Sequence, residues 1–439
     1  MVGIMRKIVV AGAGIGGLSA AYLLSKNGFS VLVYEKLPES SMGYDWADCI
    51  ERSIFDKLDV SYPDIDKLPV LKKMCYYSPS KRVRLVEHER DKSSVICIER
   101  KDLARFMIDI CREAGTEFRF ETDILGAVTE NDTVTGIRVA SGETEETVYG
   151  DLVIDACGMD SPVKSTLPGS AGIDGKILPE DTFFVYRGYH RRAQDTEYDP
   201  PYRMYFFHNG LKGLDWVISE EGYYDILIGA FGGITESDIE SNIHDFMKDY
   251  PDMEENPFRG GSVGKIPVRC ALPVFVCNGY AAAGNSASMV EPLSGSGISL
   301  GIKAGKILAE TIIENSDSVF DTGVLWKYNR RYHEELGFRQ FNSDNIRRML
   351  CRLNGEELDY LLDNDVITKA EVIGPKARYS ASDILRKAAV VVRRKNIVRV
   401  LLGFAKRNAV YGKIRKQLPE TYQAEAVRAW VHTYEKFYN

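Results

Sequence analysis

The sequence lacks the arrangements of cysteine and histidine that are typical of metal sites and of disulfide-exchange motifs. Its eight cysteines are scattered without a CxxC pair, and its six histidines form neither an HExxH motif nor a paired cluster. No run of about 18 apolar residues is present, and glycines interrupt the N-terminal apolar run where a signal peptide would be hydrophobic. The net charge of −7 gives no reason to expect a nucleic-acid partner. We therefore expect a cytoplasmic protein with reduced thiols and no metal.

The N-terminal stretch predicts a βαβ unit. The β-branched run 8–11 predicts a buried parallel strand, and the alanine- and leucine-rich run 15–26 predicts a helix. Gly28 ends that helix, and the apolar run 31–34 predicts a second strand. A helical crossover of this kind joins parallel strands.

A glycine fingerprint lies between the first strand and the helix. In the pattern G-x-G-x-x-G, Gly12 allows a tight turn, Gly14 lets the backbone approach a pyrophosphate, and Gly17 lets helix and strand pack closely. The helix N-terminus would hold the pyrophosphate. Glu35 ends the second strand, where it can accept hydrogen bonds from an adenosine ribose. The pattern predicts a dinucleotide, either NAD or FAD, and the acid argues against NADP.

Three separated segments resemble the FAD motifs of the p-hydroxybenzoate-hydroxylase-like flavoproteins, namely 12–17, 155–161 and 284–298. Within that superfamily, the sequence is similar to the geranylgeranyl reductases, FAD enzymes that saturate isoprenoid double bonds. The similarity covers roughly residues 5–315. Shorter matches are Arg100 before a predicted helix and the segments 213–218 and 264–267.

The resemblance implies FAD as the cofactor and a set of residues that contact it. These residues are Gly12, Ala13, Gly14, Gly16, Gly17, Glu35, Lys36, Trp46, Ala47, Arg100, Ile124, Asn285, Gly295, Gly297 and Ile298. The last two would open a helix whose N–H groups face the pyrimidine edge of the flavin, where a reduced flavin is negatively charged. The resemblance does not identify a catalytic residue in this sequence.

The sequence departs from the family pattern at three places. Asn285 stands where the family has aspartate, which keeps an acceptor and loses the charge. Trp46 aligns with the family's cysteine near the flavin, unless a shift of three residues brings Cys49 there. Ile218 and Ser219 replace the Phe-Pro that ends the substrate motif. These changes leave FAD binding as the expectation and make the sequence a divergent member of the family.

Several of these residues have a second interpretation. Trp216 is either a wall of the substrate site or a core aromatic, and Cys49 either lies beside the flavin and substrate or belongs to the buried start of a helix predicted over 47–58. Asp155 and Asp160 either touch the cofactor or only form a turn.

The predicted fold is α/β, with a Rossmann-like FAD-binding domain, a β-meander, an inserted and mainly antiparallel substrate sheet, and a C-terminal helical region. We assign residues 1–180 and 255–318 to the FAD-binding domain, 181–254 to the substrate sheet and 319–439 to the helical region.

The resemblance implies saturation of carbon–carbon double bonds in a hydrophobic, isoprenoid lipid by hydride from N5 of the reduced flavin. Only one complete dinucleotide fingerprint is visible, so the electrons would come from ferredoxin or from NAD(P)H that docks transiently. Two alternatives stay open: a flavin monooxygenase that hydroxylates an aromatic substrate, and a flavin-binding protein without turnover. A halogenase is less favoured, because its Trp-x-Trp-x-Ile-Pro pattern is only partly present.

Segment 384–419 is basic in an otherwise acidic protein. It has no acidic residue and eleven cations, namely Lys or Arg at 386, 387, 393, 394, 395, 399, 406, 407, 413, 415 and 416. Apolar residues alternate with them at helical period. The segment is either a packed helix pair with a solvated basic face or a peripheral contact with an anionic membrane.

Overall fold

The computed structural model describes residues 6–86, 94–174, 177–194, 196–368 and 381–438, with the backbone alone for 381–384. Its strands are β1 (Lys7–Ala11), β2 (Ser30–Tyr34), β3 (Ala47–Glu51), β4 (Met74–Tyr77), β5 (Arg84–Val86), β6 (Val95–Glu99), β7 (Glu117–Arg119), β8 (Asp123–Glu130), β9 (Thr133–Ser141), β10 (Thr144–Tyr149), β11 (Leu152–Asp155), β12 (Thr182–Arg192), β13 (Tyr202–Phe206), β14 (Leu214–Glu220), β15 (Tyr223–Phe231), β16 (Met253–Pro267), β17 (Val276–Cys277) and β18 (Tyr280–Ala282). Its helices are α1 (Ile15–Lys26), α2 (Arg100–Glu113), α3 (Pro162–Ser165), α4 (Glu236–Asp249), α5 (Ile298–Ile313), α6 (Thr322–Tyr332), α7 (Phe338–Cys351), α8 (Gly355–Asp363), α9 (Ala381–Val391), α10 (Lys395–Gln417) and α11 (Ala424–Glu435).

A six-stranded sheet forms the centre of the nucleotide-binding part, in the order β17–β18–β11–β1–β2–β7. β1 pairs in parallel with β2 and β11, so that Val10 lies between Val33 and Ile154. These three side chains are fully buried, because helices and other strands cover both faces of the sheet. The carboxyl ends of β1, β2, β11 and β18 therefore lie at one edge, and the loops that follow them meet there.

A seven-stranded, mainly antiparallel sheet forms the second layer, in the order β16–β12–β15–β14–β13–β4–β5. Helix α4 covers one face, where Phe246 packs among buried residues that include Val217 and Tyr224. The other face meets a two-stranded ribbon of β3 and β6, because Tyr189 and Arg187 of β12 bond to Ala47 and Asp48 of β3, and we call it the ribbon face. One row of neighbours across its strands is Met204, Trp216, Leu227 and Arg187.

The fold class predicted from the sequence is confirmed, including the β-meander (β8–β10) and the helical C-terminus. The substrate sheet is larger than the segment 181–254, because it also takes up β4 and β5 from the N-terminal part and continues through β16 to Pro267. The helix predicted over 47–58 is wrong in its first half. There the chain pairs with β6 as strand β3, and only Arg52–Leu58 is helical, as a 3₁₀ turn.

The C-terminal helices share one hydrophobic core with the nucleotide-binding part, in which Tyr328 of α6 packs edge to face on Phe275 with ring centroids 5.2 Å apart. Trp326 of α6 meets Trp430 of α11 edge to face, with ring centroids 6.1 Å apart. The indole N–H of Trp430 donates to the carbonyl of Ile414 at 2.9 Å, and that of Trp326 to Pro419 at 3.1 Å. Among the described residues, no helix is long and apolar enough to cross a membrane.

Candidate cofactor and substrate site

The glycine fingerprint lies directly against the loop that follows β11. Gly12 has a φ of +85°, and its N–H donates to the carbonyl of Tyr34 at 2.8 Å. A Cβ at Gly14 would lie 2.6 Å from the carbonyl oxygen of Ala156, and one at Gly17 would lie 2.5 Å from the Ala156 Cβ. Side chains at these positions would push the two loops apart, so the glycines allow the first and second sequence motifs to pack together.

The third motif joins the same edge. A Cβ at Gly16 would lie 3.1 Å from Ala283, the residue after β18. Helix α5 then packs across α1 so closely that a Cβ at Gly301 would lie 2.6 Å from the side chain of Ile15. Three segments that are more than 100 residues apart in the sequence therefore form one surface.

Two helix N-termini open onto this surface. α1 begins at Ile15 after Gly14, and α5 begins at Ile298 after Gly297. Neither N-cap residue provides a capping side chain, and neither first turn contains an acidic residue. Their N–H groups and the positive ends of their dipoles are thus available to an anionic ligand.

Glu35 is buried at the end of β2 and holds the glycine loop. One carboxylate oxygen accepts from the N–H of Ala13 at 2.8 Å, and the other accepts from Leu37 at 2.9 Å. Each oxygen has a further lone pair, which leaves room for a ribose hydroxyl. Two other predicted contacts lie further out. Lys36 is exposed to solvent, and Ile124 packs from β8 against the main core.

Asp155 ties the second motif to the third. Its buried carboxylate accepts hydrogen bonds from the hydroxyl groups of Ser161 (2.6 Å), Tyr280 (2.8 Å) and Ser286 (3.0 Å) and from the N–H of Cys157 (3.0 Å). With four donors already bound, this residue organises the loops. Asp160 is exposed at the following turn.

The loop before α5 brings Asn285 and the predicted glycines together. A Cβ at Gly297 would lie 3.5 Å from the Oδ1 atom of Asn285, so the amide lies beside the helix start. Gly295 has a φ of +71°, and a Cβ there would contact Ile266 at 3.4 Å. The loop is therefore packed between the helix start and the end of β16.

A second group of predicted residues lies where the β3–β6 ribbon meets the seven-stranded sheet. The ring of Trp46 stacks on Tyr44 with centroids 4.5 Å apart, and the guanidinium of Arg100 lies 5.6 Å from the Tyr44 ring. The N–H of Ala47 donates to the hydroxyl of Tyr189 at 2.9 Å. The side chain of Trp46 is thus held between ribbon and sheet.

Arg187 is the centre of this group, and sequence reasoning missed it. Its guanidinium donates to both carboxylate oxygens of Asp225, at 2.9 and 2.6 Å, and to Asp48 at 3.1 Å. It also lies 5.9 Å from the ring of Trp46 and 5.2 Å from that of Trp216. Burial opposes its ionisation, but the charge of Asp225 raises the pKa of Arg187 above its usual value. The two aspartates lie 38 and 139 positions away in the chain, so no local pattern could reveal the cluster.

The two residues predicted to contact substrate lie on facing layers. Trp216 is on the ribbon face, where it is half-buried, and its indole N–H has no hydrogen-bond partner among the described residues. Cys49 lies on the ribbon, directly opposite Cys97 of β6. The pairing with Cys97 was not predicted, because it depends on the strand that replaces the expected helix.

Comparisons with known proteins agree with this architecture. A family model described as an FAD-binding domain matches residues 5–186. The digeranylgeranylglycerophospholipid reductase of Sulfolobus acidocaldarius is 26% identical over 383 residues, which cover 83% of this chain and 82% of that protein. The reductase of the same name from Methanosarcina acetivorans is 27% identical over 373 residues, with 81% of this chain and 88% of that protein covered. The chain is thus similar to these reductases over more than four fifths of its length, at 26–27% identity. The resemblance predicted from the three motifs is confirmed, and the protein is an FAD-dependent oxidoreductase.

Solved structures show the same fold. A geranylgeranyl bacteriochlorophyll reductase-like protein from Thermoplasma acidophilum has a TM-score of 0.71 at 20% identity, covering 90% of this chain and all of that one. The FAD-dependent chondrochloren halogenase from a myxobacterium has a TM-score of 0.61 at 14% identity, with 90% of both chains covered.

The residues at the edge of the six-stranded sheet fit FAD. Its pyrophosphate needs N–H donors without competing carboxylates, which the start of α1 provides. Gly158 and Gly284, both with positive φ, have open space where a side chain would project. The start of α5 provides a second set of N–H groups without a competing carboxylate, which suits another anionic part of the cofactor.

Proposed function

We propose that the protein saturates carbon–carbon double bonds of a hydrophobic, isoprenoid lipid. The observation that carries this proposal is the row Met204, Trp216 and Leu227 on the ribbon face, with Trp46 on the layer opposite. Aliphatic and aromatic side chains of this kind bind a hydrocarbon chain by the hydrophobic effect, because contact removes the apolar surface of both from water. The names of the two archaeal relatives support the substrate class, since both proteins are called reductases of a digeranylgeranyl lipid.

Bound FAD, once reduced, supplies the hydride for such a reaction. The chain's own contribution is to bind and orient. The starts of α1 and α5 would hold the anionic parts of the cofactor and Glu35 the adenosine ribose, and Asn285 lies beside the start of α5. The apolar row aligns the lipid and keeps water away from it.

The charged group at the end of the apolar row supports the proposal that the substrate is an amphiphilic lipid. Leu227 is followed across the strands by Arg187, which remains paired with Asp225 and Asp48. Contact between a hydrocarbon chain and this ion cluster is unfavourable, because it would remove water from charged groups without giving them new hydrogen bonds. We infer that the chain ends or carries a polar group there.

An anaerobic titration tests the proposal. The purified holoenzyme is reduced with dithionite, a geranylgeranyl lipid is added, and the oxidised flavin band near ~450 nm is followed. We expect reoxidation without oxygen and a product heavier by the added hydrogens. Reaction only after air is admitted, with a hydroxylated product, would instead establish the monooxygenase alternative. Repeating the assay with reduced ferredoxin and with NAD(P)H in place of dithionite identifies the electron donor.

A matched pair of variants locates the substrate. Trp216→Ala removes the large side chain from the ribbon face, and Tyr149→Ala removes an equally aromatic residue that is 53% exposed on β10. We expect Trp216→Ala to lower kcat/KM for the lipid by about 10–100-fold, because a buried aromatic contact contributes about 1.5–3 kcal/mol. Tyr149→Ala should leave it unchanged. Equal effects, or none, would contradict the placement.

We further propose that α10 contacts an anionic membrane. Five exposed cations follow one side of the helix with Leu402 among them, at spacings of three, four or seven residues: Lys395, Arg399, Lys406, Lys413 and Lys416. The opposite side is buried through Ile397, Val400 and Ile414. A membrane surface complements such a stripe, since each cation near anionic lipid contributes about 1 kcal/mol.

Vesicle sedimentation tests this contact. Lys406, Lys413 and Lys416 are replaced together by alanine, and Lys26, Lys67 and Lys327, exposed on other parts of the chain, are replaced together as the control. We expect the first variant to lose most binding to phosphatidylserine vesicles and the control to keep it, with little binding of either to neutral vesicles. Equal binding of both variants would contradict the proposal, as would stronger binding to RNA than to anionic lipid.

A further inference from the structure

The β3–β6 ribbon carries two cysteines at one cross-strand position. Cys49 and Cys97 are direct partners in the antiparallel register. The N–H of Cys97 donates away from β3, to the carbonyl of Pro69 at 2.7 Å, and the N–H of Arg100 donates across the ribbon to Trp46 at 3.0 Å. Hydrogen bonds alternate along an antiparallel pair, so Cys49 and Cys97 occupy a non-hydrogen-bonded position. Cα atoms there are about 4.5 Å apart, within the range of about 4.4–6.8 Å that a disulfide spans.

The two thiols already interact. A hydrogen bond between them, helped by one from Tyr202, lowers the pKa of Cys97 below its usual value. The same hydrogen bond, together with burial, raises the pKa of Cys49. Cys97 is therefore the more acidic thiol of the pair.

Small oxidants can reach this pair. Both residues are partly exposed, whereas Cys75, Cys111, Cys270 and Cys277 are buried. The other side of the ribbon is closed, since Ile50, Ile96 and Ile98 point into the main core. The thiols thus face the seven-stranded sheet, on the side of the ribbon where Trp46 and Trp216 flank Arg187.

We propose that Cys49 and Cys97 are a redox-active dithiol that hydrogen peroxide converts into a cross-strand disulfide beside the substrate site. The Cys97 thiolate attacks one peroxide oxygen, the O–O bond breaks, and the hydroxide released takes up a proton to become water, leaving a sulfenic acid on Cys97. The Cys49 sulfur then attacks that sulfur, its proton leaves with the hydroxyl group as a second water, and the S–S bond forms. Two thiols are oxidised and one peroxide is reduced to two waters. This inference does not depend on the identity of the lipid.

Peptide mapping of the full-length wild-type protein tests the proposal. Reduced protein is treated with equimolar hydrogen peroxide, alkylated, and digested without reductant. We expect a peptide pair linked through Cys49 and Cys97, a loss of two free thiols, and the return of both after dithiothreitol. Alkylated Cys49 and Cys97 in the treated sample, or a sulfinic acid on either without the linked peptide, would overturn it.

Single variants separate this pair from general thiol oxidation. Cys351 is a matched control, because it is partly exposed and lies on α7 rather than on the ribbon. Cys351→Ser should keep the linked peptide. In Cys49→Ser, we expect Cys97 to be trapped as its sulfenic acid at least about tenfold faster than Cys351, since the thiolate is the reactive form. Equal rates for Cys97 and Cys351 would contradict the assignment.

Discussion

Replacing Glu35 by glutamine tests how the adenosine end of the cofactor is held. In the wild type, each carboxylate oxygen accepts one backbone N–H, from Ala13 at 2.8 Å and from Leu37 at 2.9 Å. Glutamine has one oxygen and one NH₂ group, so it can accept only one of the two. The other N–H would then face a donor.

The size of the change in Kd for FAD depends on which backbone N–H loses its hydrogen-bond acceptor. Ala13 is only 5% exposed, and leaving its N–H unpaired would cost about 1–3 kcal/mol, whereas Leu37 is 40% exposed and water can replace the lost partner. We therefore expect the amide oxygen to stay with Ala13. The lost charge still weakens that bond, and a charge-assisted bond contributes about 1.5–3 kcal/mol. The Kd for FAD should rise by roughly 10–100-fold.

Titration of the apoprotein with FAD, followed by the quenching of flavin fluorescence, measures this change. Glu39→Gln is the matched control, because Glu39 is an exposed partner of Arg112 and lies outside the glycine loop. It should change Kd by less than about twofold. A Kd for Glu35→Gln that also stays within about twofold of the wild type would refute the reasoning.

Three further predictions concern stability. Asp155→Asn should lower the free energy of unfolding by about 2–4 kcal/mol in urea titrations, since one buried oxygen that accepts two hydrogen bonds is lost; a change under about 0.5 kcal/mol would contradict its organising role. Arg187→Met should cost about 3–5 kcal/mol because it leaves Asp225 buried and unpaired, and the double variant with Asp225→Leu should recover most of that loss; no recovery would show that the pair is not coupled. Burial raises the pKa of Asp245, but hydrogen bonds, the largest of them from His208, together outweigh burial and lower that pKa below its usual value. The ionised carboxylate therefore stabilises the fold above pH ~4, and this contribution is lost as the pH falls below that value. Asp245→Asn should flatten the acidic part of the curve of unfolding free energy against pH, measured by urea unfolding.

The N-terminal strand–helix–strand unit could be predicted closely because its signals are local. The alternation of apolar runs and glycines places strands, turn and helix without reference to the rest of the chain. The prediction over 47–58 failed for the opposite reason. Ala47–Glu51 forms a strand because Val95–Glu99 lies beside it, and strand preference depends on such neighbours more than helix preference does.

The sequence by itself determined the FAD-binding βαβ unit, the two loops that complete it and the basic character of the C-terminal segment. Each of these features depends on residues that are close together in the chain. The tertiary structure alone decided the opposition of Cys49 and Cys97, the Arg187 cluster and the common direction of the five named cations of α10. Those features depend on strand register and on which helix face is buried. Both are settled by burying apolar surface across the whole fold, between residues that are dozens to hundreds of positions apart.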